Sequence, residues 1–214
     1  MDSFAQFKPI IDAIVTTQNE LIILWDKFCK DNGVDRFNQR KKKVREIDSD
    51  ISLSDCVYRF RSFLVGKSNF FETHLTTAGI PYRIRVKNIN SIADKISRYM
   101  EKAEQGEIQI NKCLNDILGL RIITEKSYPC DVIQKYILEW YGNNQTRVRV
   151  YDSSKPNEAY VGTHLYFHYD NLNFDWELQI WHKDVAITNE ESHNKYKQSY
   201  TNWENESKME EQWI

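Results

Sequence analysis

The chain has 214 residues, and its 29 Lys and Arg are nearly balanced by 31 Asp and Glu, which gives a formal net charge of −2. This balance excludes a strong overall field that would draw the protein to nucleic acid or to a membrane surface. The hydrophobic share of 41% and the charged share of 28% are typical of a globular chain and exclude a disordered one. We expect one domain with an appendage rather than two full domains.

Targeting and redox signals are absent from the pattern. No stretch approaches the roughly 20 consecutive apolar residues of a membrane span, and the N-terminus lacks the basic, apolar and cleavage regions of a signal peptide. The four cysteines are scattered without a C-x-x-C pair, which indicates reduced thiols and argues against a zinc site. We therefore expect a cytoplasmic protein with no membrane partner.

The first third of the chain has the apolar spacing of helices, with apolar residues three or four positions apart. The spacing predicts a helix over residues 4–30 that begins or bends at Pro9, because proline lacks the amide proton that a helix interior needs. It predicts a second helix over 54–65 and a third over 69–78 that ends at Gly79. Residues 1–79 are thus expected to form an N-terminal helical segment.

A basic segment lies within this region, with six positive charges between Arg36 and Arg45. Such a run is typical of a solvated surface turn. The alternative is a phosphate-binding patch, for example one that holds RNA.

From residue 81 the pattern changes to strands and crossover helices. Strict alternation predicts a strand over 82–88, and a nearly continuous apolar run predicts a strand over 116–123 that is buried on both faces. Three more strands are predicted over 147–151, 159–168 and 174–181. Helices are predicted over 91–105, 129–141 and 185–203, the last with Thr188 and Glu191 spaced as a capping box. This order predicts an α+β fold, a mixed five-stranded sheet flanked by helices, over residues 80–214.

Because successive side chains of a strand point to opposite faces, most of the predicted strands have one apolar face and one polar face. The polar faces contain Arg and Lys, two carboxylates, two histidines and several aromatic rings. If they line one surface, it is a cleft with cations for phosphates, carboxylates for magnesium and rings for bases. The alternative is a merely solvated face, which antiparallel sheets often have.

Asp116 and Arg121 need a separate explanation, because they lie at the start of and within the buried strand. A buried carboxylate requires a partner or a metal ion. The alternative to a functional role is a structural Asp–Arg pair.

Four segments resemble the motifs of RelA/SpoT-type nucleotide pyrophosphokinases, in that family's order and with similar intervals. Residues 85–95 read R-V-K-N-I-N-S-I-A-D-K and resemble R-x-K-x-x-x-S-I-x-x-K. Residues 116–122 read D-I-L-G-L-R-I and resemble D-(I/L)-x-G-x-R-(I/V). Residues 160–164 read Y-V-G-T-H and are similar to Y-x-S-x-H, and residues 177–180 read E-L-Q-I and match E-(I/L/V)-Q-(I/L). The resemblance implies that family's nucleotidyltransferase-like synthetase fold.

The resemblance also implies a reaction, the transfer of pyrophosphate from ATP to the 3′-hydroxyl of GDP or GTP, which makes (p)ppGpp. By this resemblance Asp116 and Glu177 hold Mg²⁺, and Glu177 also takes the proton of the attacking hydroxyl. The implied ATP-binding residues are Arg85 and Arg121 around the adenine and Lys87, Ser91 and Lys95 on the phosphates. The implied acceptor residues are Tyr160 on the base, His164 on the phosphates and Gln179 as support.

The sequence departs from the family's pattern on the acceptor side. The family commonly has Asn-Gly-Tyr preceded by Pro-Lys, whereas residues 155–160 read K-P-N-E-A-Y, and Trp181 stands where a basic residue is usual. Two alternatives therefore stay open, a toxin of the same fold that pyrophosphorylates the 3′ end of tRNA, with an antitoxin protein as a further partner, and a catalytically silent nucleotide-binding module. No His-Asp dipeptide occurs, so we expect no metal-dependent hydrolase half.

Overall fold

A computed structural model describes residues 3–75, 81–101, 105–154 and 160–198. A 3₁₀ helix over Ser3–Phe7 precedes eight α-helices in these ranges: α1 (Lys8–Asn32), α2 (Glu46–Ser49), α3 (Ile51–Val65), α4 (Ser68–Leu75), α5 (Ile89–Glu101), α6 (Ile110–Cys113), α7 (Cys130–Tyr141) and α8 (Lys183–Gln198). The five strands are β1 (Tyr82–Val86), β2 (Leu118–Thr124), β3 (Arg147–Asp152), β4 (Thr163–His168) and β5 (Trp176–His182).

The N-terminal helices follow from local signals. Pro9 lies in the first turn of α1, where its missing amide proton costs nothing, and Gly33 ends that helix in the left-handed conformation. Asp50 caps α3 by accepting hydrogen bonds from the amides of Ser52 and Leu53, so this helix begins three residues before the predicted start. The predicted third helix is present as α4, and its predicted end at Gly79 lies outside the described residues.

The strands form one open sheet in the order β1-β2-β5-β4-β3. β2 and β5 are parallel, and the other three neighbouring pairs are antiparallel. The prediction of an α+β fold with a mixed five-stranded sheet is confirmed. The division of the chain at residue 80 stays a prediction.

The predicted capping box at Thr188 and Glu191 is wrong. The chain passes from β5 into α8 without a loop, and the helix begins at Lys183 with Asp184 in its first turn, so both residues lie inside the helix. The end predicted at residue 203 lies outside the described residues. Asp116 also differs from prediction, because β2 begins two residues later at Leu118.

The apolar face of the sheet packs against the N-terminal helices. Phe71 of α4 meets Trp176 of β5 at a centroid distance of 5.8 Å. Gln18, which is fully buried in α1, donates its side-chain amide to the carbonyl of Phe167 at 2.9 Å. This packing buries one face of β4 and β5, so their opposite, polar side chains form the other face. Among the described helices, none has the length and apolar character needed to cross a bilayer.

Candidate active site

The strand register aligns the polar side chains into two rows across the sheet. The first row consists of Arg85, Gly119, Glu177, Tyr166 and Arg149. The second consists of Arg83, Arg121, Gln179, His164 and Tyr151. Because paired residues on one face lie side by side, the five strands bring polar and charged side chains from distant parts of the chain together.

Asp116 lies just before β2 and is held between two lysines. Its Oδ2 accepts a hydrogen bond from Lys87 Nζ at 2.6 Å, and its Oδ1 accepts one from Lys95 Nζ at 2.9 Å. Lys87 follows β1, and Lys95 lies on α5 one turn after Ser91, which is half-buried. The three charged side chains expose only 12–16% of their surface. The structural Asp–Arg pair considered from the sequence is therefore wrong, since the partners of Asp116 are lysines.

Burial and ion pairing act in opposite directions on this cluster. Burial alone would raise the pKa of Asp116, but the charges and hydrogen bonds of Lys87 and Lys95 hold it far below its ordinary value. The pKa of Lys95 is raised, because Asp116 outweighs the effect of burial. The pKa of Lys87 is lowered, because burial and the nearby charges of Lys95 and Arg85 outweigh Asp116. The cluster therefore holds an ionised carboxylate.

Glu177 lies in the middle of the first row and is 4% exposed. Its Oε1 accepts a hydrogen bond from the Tyr166 hydroxyl at 2.9 Å and lies 2.9 Å from His164 Nδ1. Its Oε2 accepts from Gln179 Nε2 at 2.9 Å. Burial raises the pKa of Glu177, but the hydrogen bond and charge of His164 lower it to about 2, so this carboxylate is also ionised.

Hydrogen bonds and an aromatic contact fix the orientation of the Arg121 guanidinium. Its Nε and Nη2 both donate to Gln179 Oε1, at 3.0 and 2.8 Å. Its Cζ lies 3.4 Å from the centroid of the Trp181 ring, which is a cation–π contact. Burial and the nearby charge of Arg85 lower the pKa of Arg121 to about 10, so the group remains a cation at neutral pH. Gln179 thus links Arg121 to Glu177 through its two amide atoms.

Gly119 separates Arg85 from Glu177 in the first row. A Cβ at this glycine would lie 3.8 Å from Glu177 Oε2 and 4.0 Å from Arg85 Nε, which is ordinary contact distance. Arg85 is 5% exposed and lies close enough to lower the pKa of Glu177. The arginines at 85 and 121 therefore lie on neighbouring rows on the same side of the carboxylate.

Tyr160 and His164 form the other end of the site. The Tyr160 hydroxyl lies 2.7 Å from His164 Nε2 and accepts a hydrogen bond from Trp181 Nε1 at 2.9 Å. Burial raises the pKa of Tyr160 to about 12, so its hydroxyl stays protonated at neutral pH. The altered loop over residues 155–159 lies outside the described residues.

The basic segment is not part of this site, and half of its charges are neutralised. Arg36 pairs with Asp26, Arg45 pairs with Glu107, and Lys42 pairs with Glu46 at 2.9 Å. These pairs favour the interpretation as a solvated surface turn.

The two carboxylates fit a hard divalent cation. Both are ionised, and they lie close enough that the charge of Asp116 partly opposes the lowering of the pKa of Glu177. No cluster of three or more His, Cys, Asp or Glu with the geometry of a metal site occurs in the part of the chain that the structure describes. Two carboxylates nevertheless suffice for Mg²⁺, which keeps waters and takes its remaining ligands from phosphates.

Sequence reasoning missed Tyr166, which donates to Glu177, and Glu190, whose carboxylate lies 3.7 Å from Arg121 Nη1. Strand parity places Tyr166 on the polar face and was a signal for it. Glu190 gave no such signal, because its contact depends on how α8 crosses the sheet.

A family model described as a region found in RelA / SpoT proteins matches residues 84–201. The chain belongs to the RelA/SpoT family. Among solved structures, this RelA/SpoT chain is similar to small alarmone synthetase 1 from Bacillus subtilis bound to its product pppGpp, with 21% identity over 69% of this chain and 78% of that one and a TM-score of 0.42. It is also similar to a GTP pyrophosphokinase family protein from Streptococcus pneumoniae, with 20% identity over 69% of this chain and 77% of that one and a TM-score of 0.39. A comparison with curated proteins finds no match.

Proposed function

We propose that this RelA/SpoT-family chain transfers pyrophosphate from ATP to the 3′-hydroxyl of GDP or GTP, giving (p)ppGpp and AMP. The observation that carries the proposal is the pair of buried, ionised carboxylates, Asp116 and Glu177, set among the cations Arg85, Lys87, Lys95 and Arg121. Phosphoryl-type transfer needs charge neutralisation and alignment more than covalent chemistry. Such a face provides both.

On the donor side, Lys87 and Lys95 would bind the ATP phosphates, with Ser91 one helical turn from Lys95. Their amines already hold anionic oxygens of Asp116, so they are positioned for the oxygens of a phosphate. Arg85 and Arg121 would hold the adenine, because planar guanidinium groups stack well on a purine.

Asp116 and Glu177 would hold Mg²⁺, which would neutralise the charge of the phosphates during transfer. The bonds of Asp116 to two lysines do not conflict with this role, since phosphates can take over the lysines and release the carboxylate oxygens.

On the acceptor side, Tyr160 would stack on the base and His164 would contact the phosphates, with Gln179 supporting the carboxylate between them. Glu177 is a weak base while His164 and Tyr166 both bond its Oε1. Proton acceptance by Glu177 therefore requires that the attacking hydroxyl replace one of these donors.

Incubation with ATP radiolabelled at its γ-phosphate, together with GDP, GTP or deacylated tRNA in separate reactions, tests the proposal. Label in a guanosine tetra- or pentaphosphate supports it. Label in tRNA alone would refute GDP or GTP as the acceptor and favour a toxin that pyrophosphorylates tRNA. ATP binding without transfer to any acceptor would favour a catalytically silent nucleotide-binding module.

The test variants are Asp116→Asn and Glu177→Gln, which change each carboxylate to an uncharged amide of the same shape. Each should abolish transfer because it removes a cation ligand, and activity within about tenfold of wild type would contradict that role.

A further inference from the structure

Trp181 connects the two halves of the site. It is fully buried on the polar face of β5, two residues after Gln179. Its ring covers one face of the Arg121 guanidinium at 3.4 Å, and its indole nitrogen donates to the Tyr160 hydroxyl at 2.9 Å. One side chain therefore contacts a proposed adenine-binding residue and a proposed acceptor-binding residue.

A chain of short polar contacts leads from Trp181 to the carboxylate of Glu177. An indole N–H can only donate, and the ionised Glu177 can only accept. Between them lie the Tyr160 hydroxyl and the His164 ring, with separations of 2.7 Å from Tyr160 to His164 Nε2 and 2.9 Å from His164 Nδ1 to Glu177. Trp181 thus supplies the first donor of a chain that ends at the reacting centre.

The backbone around Tyr160 is shaped to permit this contact. A Cβ at Gly162 would lie 3.0 Å from Trp181 Cδ1 and 3.1 Å from the Tyr160 hydroxyl oxygen, so glycine leaves the room that the two rings need. Asn189, fully buried on α8, bonds both backbone atoms of Val161, accepting from its amide at 3.0 Å and donating to its carbonyl at 2.7 Å. These contacts fix the segment that carries Tyr160 against Trp181.

We propose that Trp181 is a positioning residue that holds Arg121 for the donor purine and Tyr160 for the acceptor base at the same time. The names of these two subsites rest on the function proposed above. Because the Tyr160 hydroxyl is engaged by Trp181 and His164, the acceptor base meets the tyrosine through its ring face. Recognition at Tyr160 then depends on stacking, and its geometry depends on the indole donor.

Two substitutions separate the two contacts. Trp181→Phe keeps an aromatic face for Arg121 but removes the N–H donor, so the Michaelis constant for GDP should rise about threefold to tenfold, the range expected for one lost hydrogen bond. The dissociation constant of α,β-methylene ATP should stay within about twofold of wild type, because the cation–π contact is kept. Trp181→Leu removes both contacts and should weaken both ligands, the ATP analogue by about fivefold or more.

Trp176→Phe is the matched control, since Trp176 is equally buried on the same strand but packs into the core on the opposite face. Trp176→Phe should lower thermal stability without changing the ratio of the Michaelis constant for GDP to the dissociation constant of α,β-methylene ATP. A loss of GDP and ATP-analogue binding in equal proportion in both Phe variants would overturn the proposal, because it would reduce Trp181 to a packing residue.

A measurement independent of catalysis separates this proposal from the proposed function. The indole N–H resonance of Trp181, identified by its loss in Trp181→Phe, should move upfield in Tyr160→Phe, which deletes the hydroxyl from the other end. An unmoved resonance would overturn the proposal even in an active enzyme. If Trp181→Leu does not fold, Arg121→Lys tests the stack through the same resonance, which should shift when the planar group is removed. Absence of transfer to any acceptor, with the resonance behaving as expected, would count against the proposed function alone.

Discussion

The Lys87–Asp116–Lys95 cluster allows a quantitative test of how the site is held together. Asp116→Asn removes one charge and leaves two ammonium groups, with only 12% and 16% of their side-chain surface exposed, facing a neutral amide. Each charge-assisted hydrogen bond contributes about 1.5–3 kcal/mol, and breaking a buried pair by removing one partner costs about 3–5 kcal/mol. We therefore expect Asp116→Asn to lower the free energy of unfolding by about 3–5 kcal/mol at pH 7.

The pH dependence has a definite sign. In the wild type, the lowered pKa of Asp116 contributes stability that is present above its unfolded value and lost as the pH falls below about 4. The variant lacks this contribution, so the difference between the two proteins should shrink in acid. In the variant, the lysines lose the charge that opposed the effect of burial on their pKa values, so they release protons more readily when folded than when unfolded. The stability of Asp116→Asn should therefore increase between pH 7 and pH 10, at which the unfolded lysines also titrate.

Urea unfolding at several pH values in the presence of EDTA measures both effects. Asp31→Asn, which changes an exposed aspartate near the end of α1, is the control and should stay within about 0.5 kcal/mol of wild type. A variant at position 116 that unfolds within about 1 kcal/mol of wild type at pH 7 would refute the reasoning, because it would show that the lysines do not depend on this carboxylate.

Two further predictions concern other parts of the chain. Gly162→Ala places a methyl group 3.0 Å from the Trp181 ring, so it should cost about 1–3 kcal/mol of stability in thermal unfolding. It should also raise the Michaelis constant for GDP more than it weakens binding of the ATP analogue. Unchanged GDP kinetics would show that Trp181 and Tyr160 do not need the space that Gly162 leaves. Replacing Lys41, Lys42 and Lys43 by Gln should leave the salt dependence of transfer to GDP unchanged, whereas a flatter salt dependence with tRNA would indicate that the basic segment holds a nucleic-acid backbone.

Much of the polar face could be predicted from strand parity alone. Alternation predicts that His164 and Tyr166 share the polar face of β4 and that Glu177 and Gln179 share the polar face of β5. The register pairs His164 with Gln179 and Tyr166 with Glu177, so all four lie on the same face of the sheet. Parity is reliable here because successive side chains of a strand point to opposite faces wherever one face is buried. The sequence could not show that Gly119 lies opposite Glu177, because a pairing across so many residues depends on how the intervening elements pack.

The errors came from places where tertiary contacts override local pattern. Thr188 and Glu191 have the spacing of a capping box, but the direct passage from β5 into α8 moves the helix start to Lys183. Arg121 was considered as a partner of Asp116 because both are charged residues in one apolar run. In the structure, Arg121 donates to Gln179 on the neighbouring strand. Asp116 instead accepts hydrogen bonds from Lys87, just after β1, and from Lys95 on α5. Neither choice of partner is encoded in local spacing.

The charge balance of the site links its stability to its proposed ligand. Arg85, Lys87, Lys95 and Arg121 are four cations around Asp116, Glu177 and Glu190, so the site carries an excess of positive charge, which suits a polyphosphate. Under the proposed function, the phosphates of a nucleotide replace Asp116 as the partner of Lys87 and Lys95. In Asp116→Asn these lysines have lost that partner, so ATP added in EDTA should recover part of the stability that the substitution removes. A purely structural ion cluster would show no such recovery, since its cations would have no ligand to accept, and the unfolding experiment at position 116 therefore distinguishes a phosphate site from a buried salt bridge.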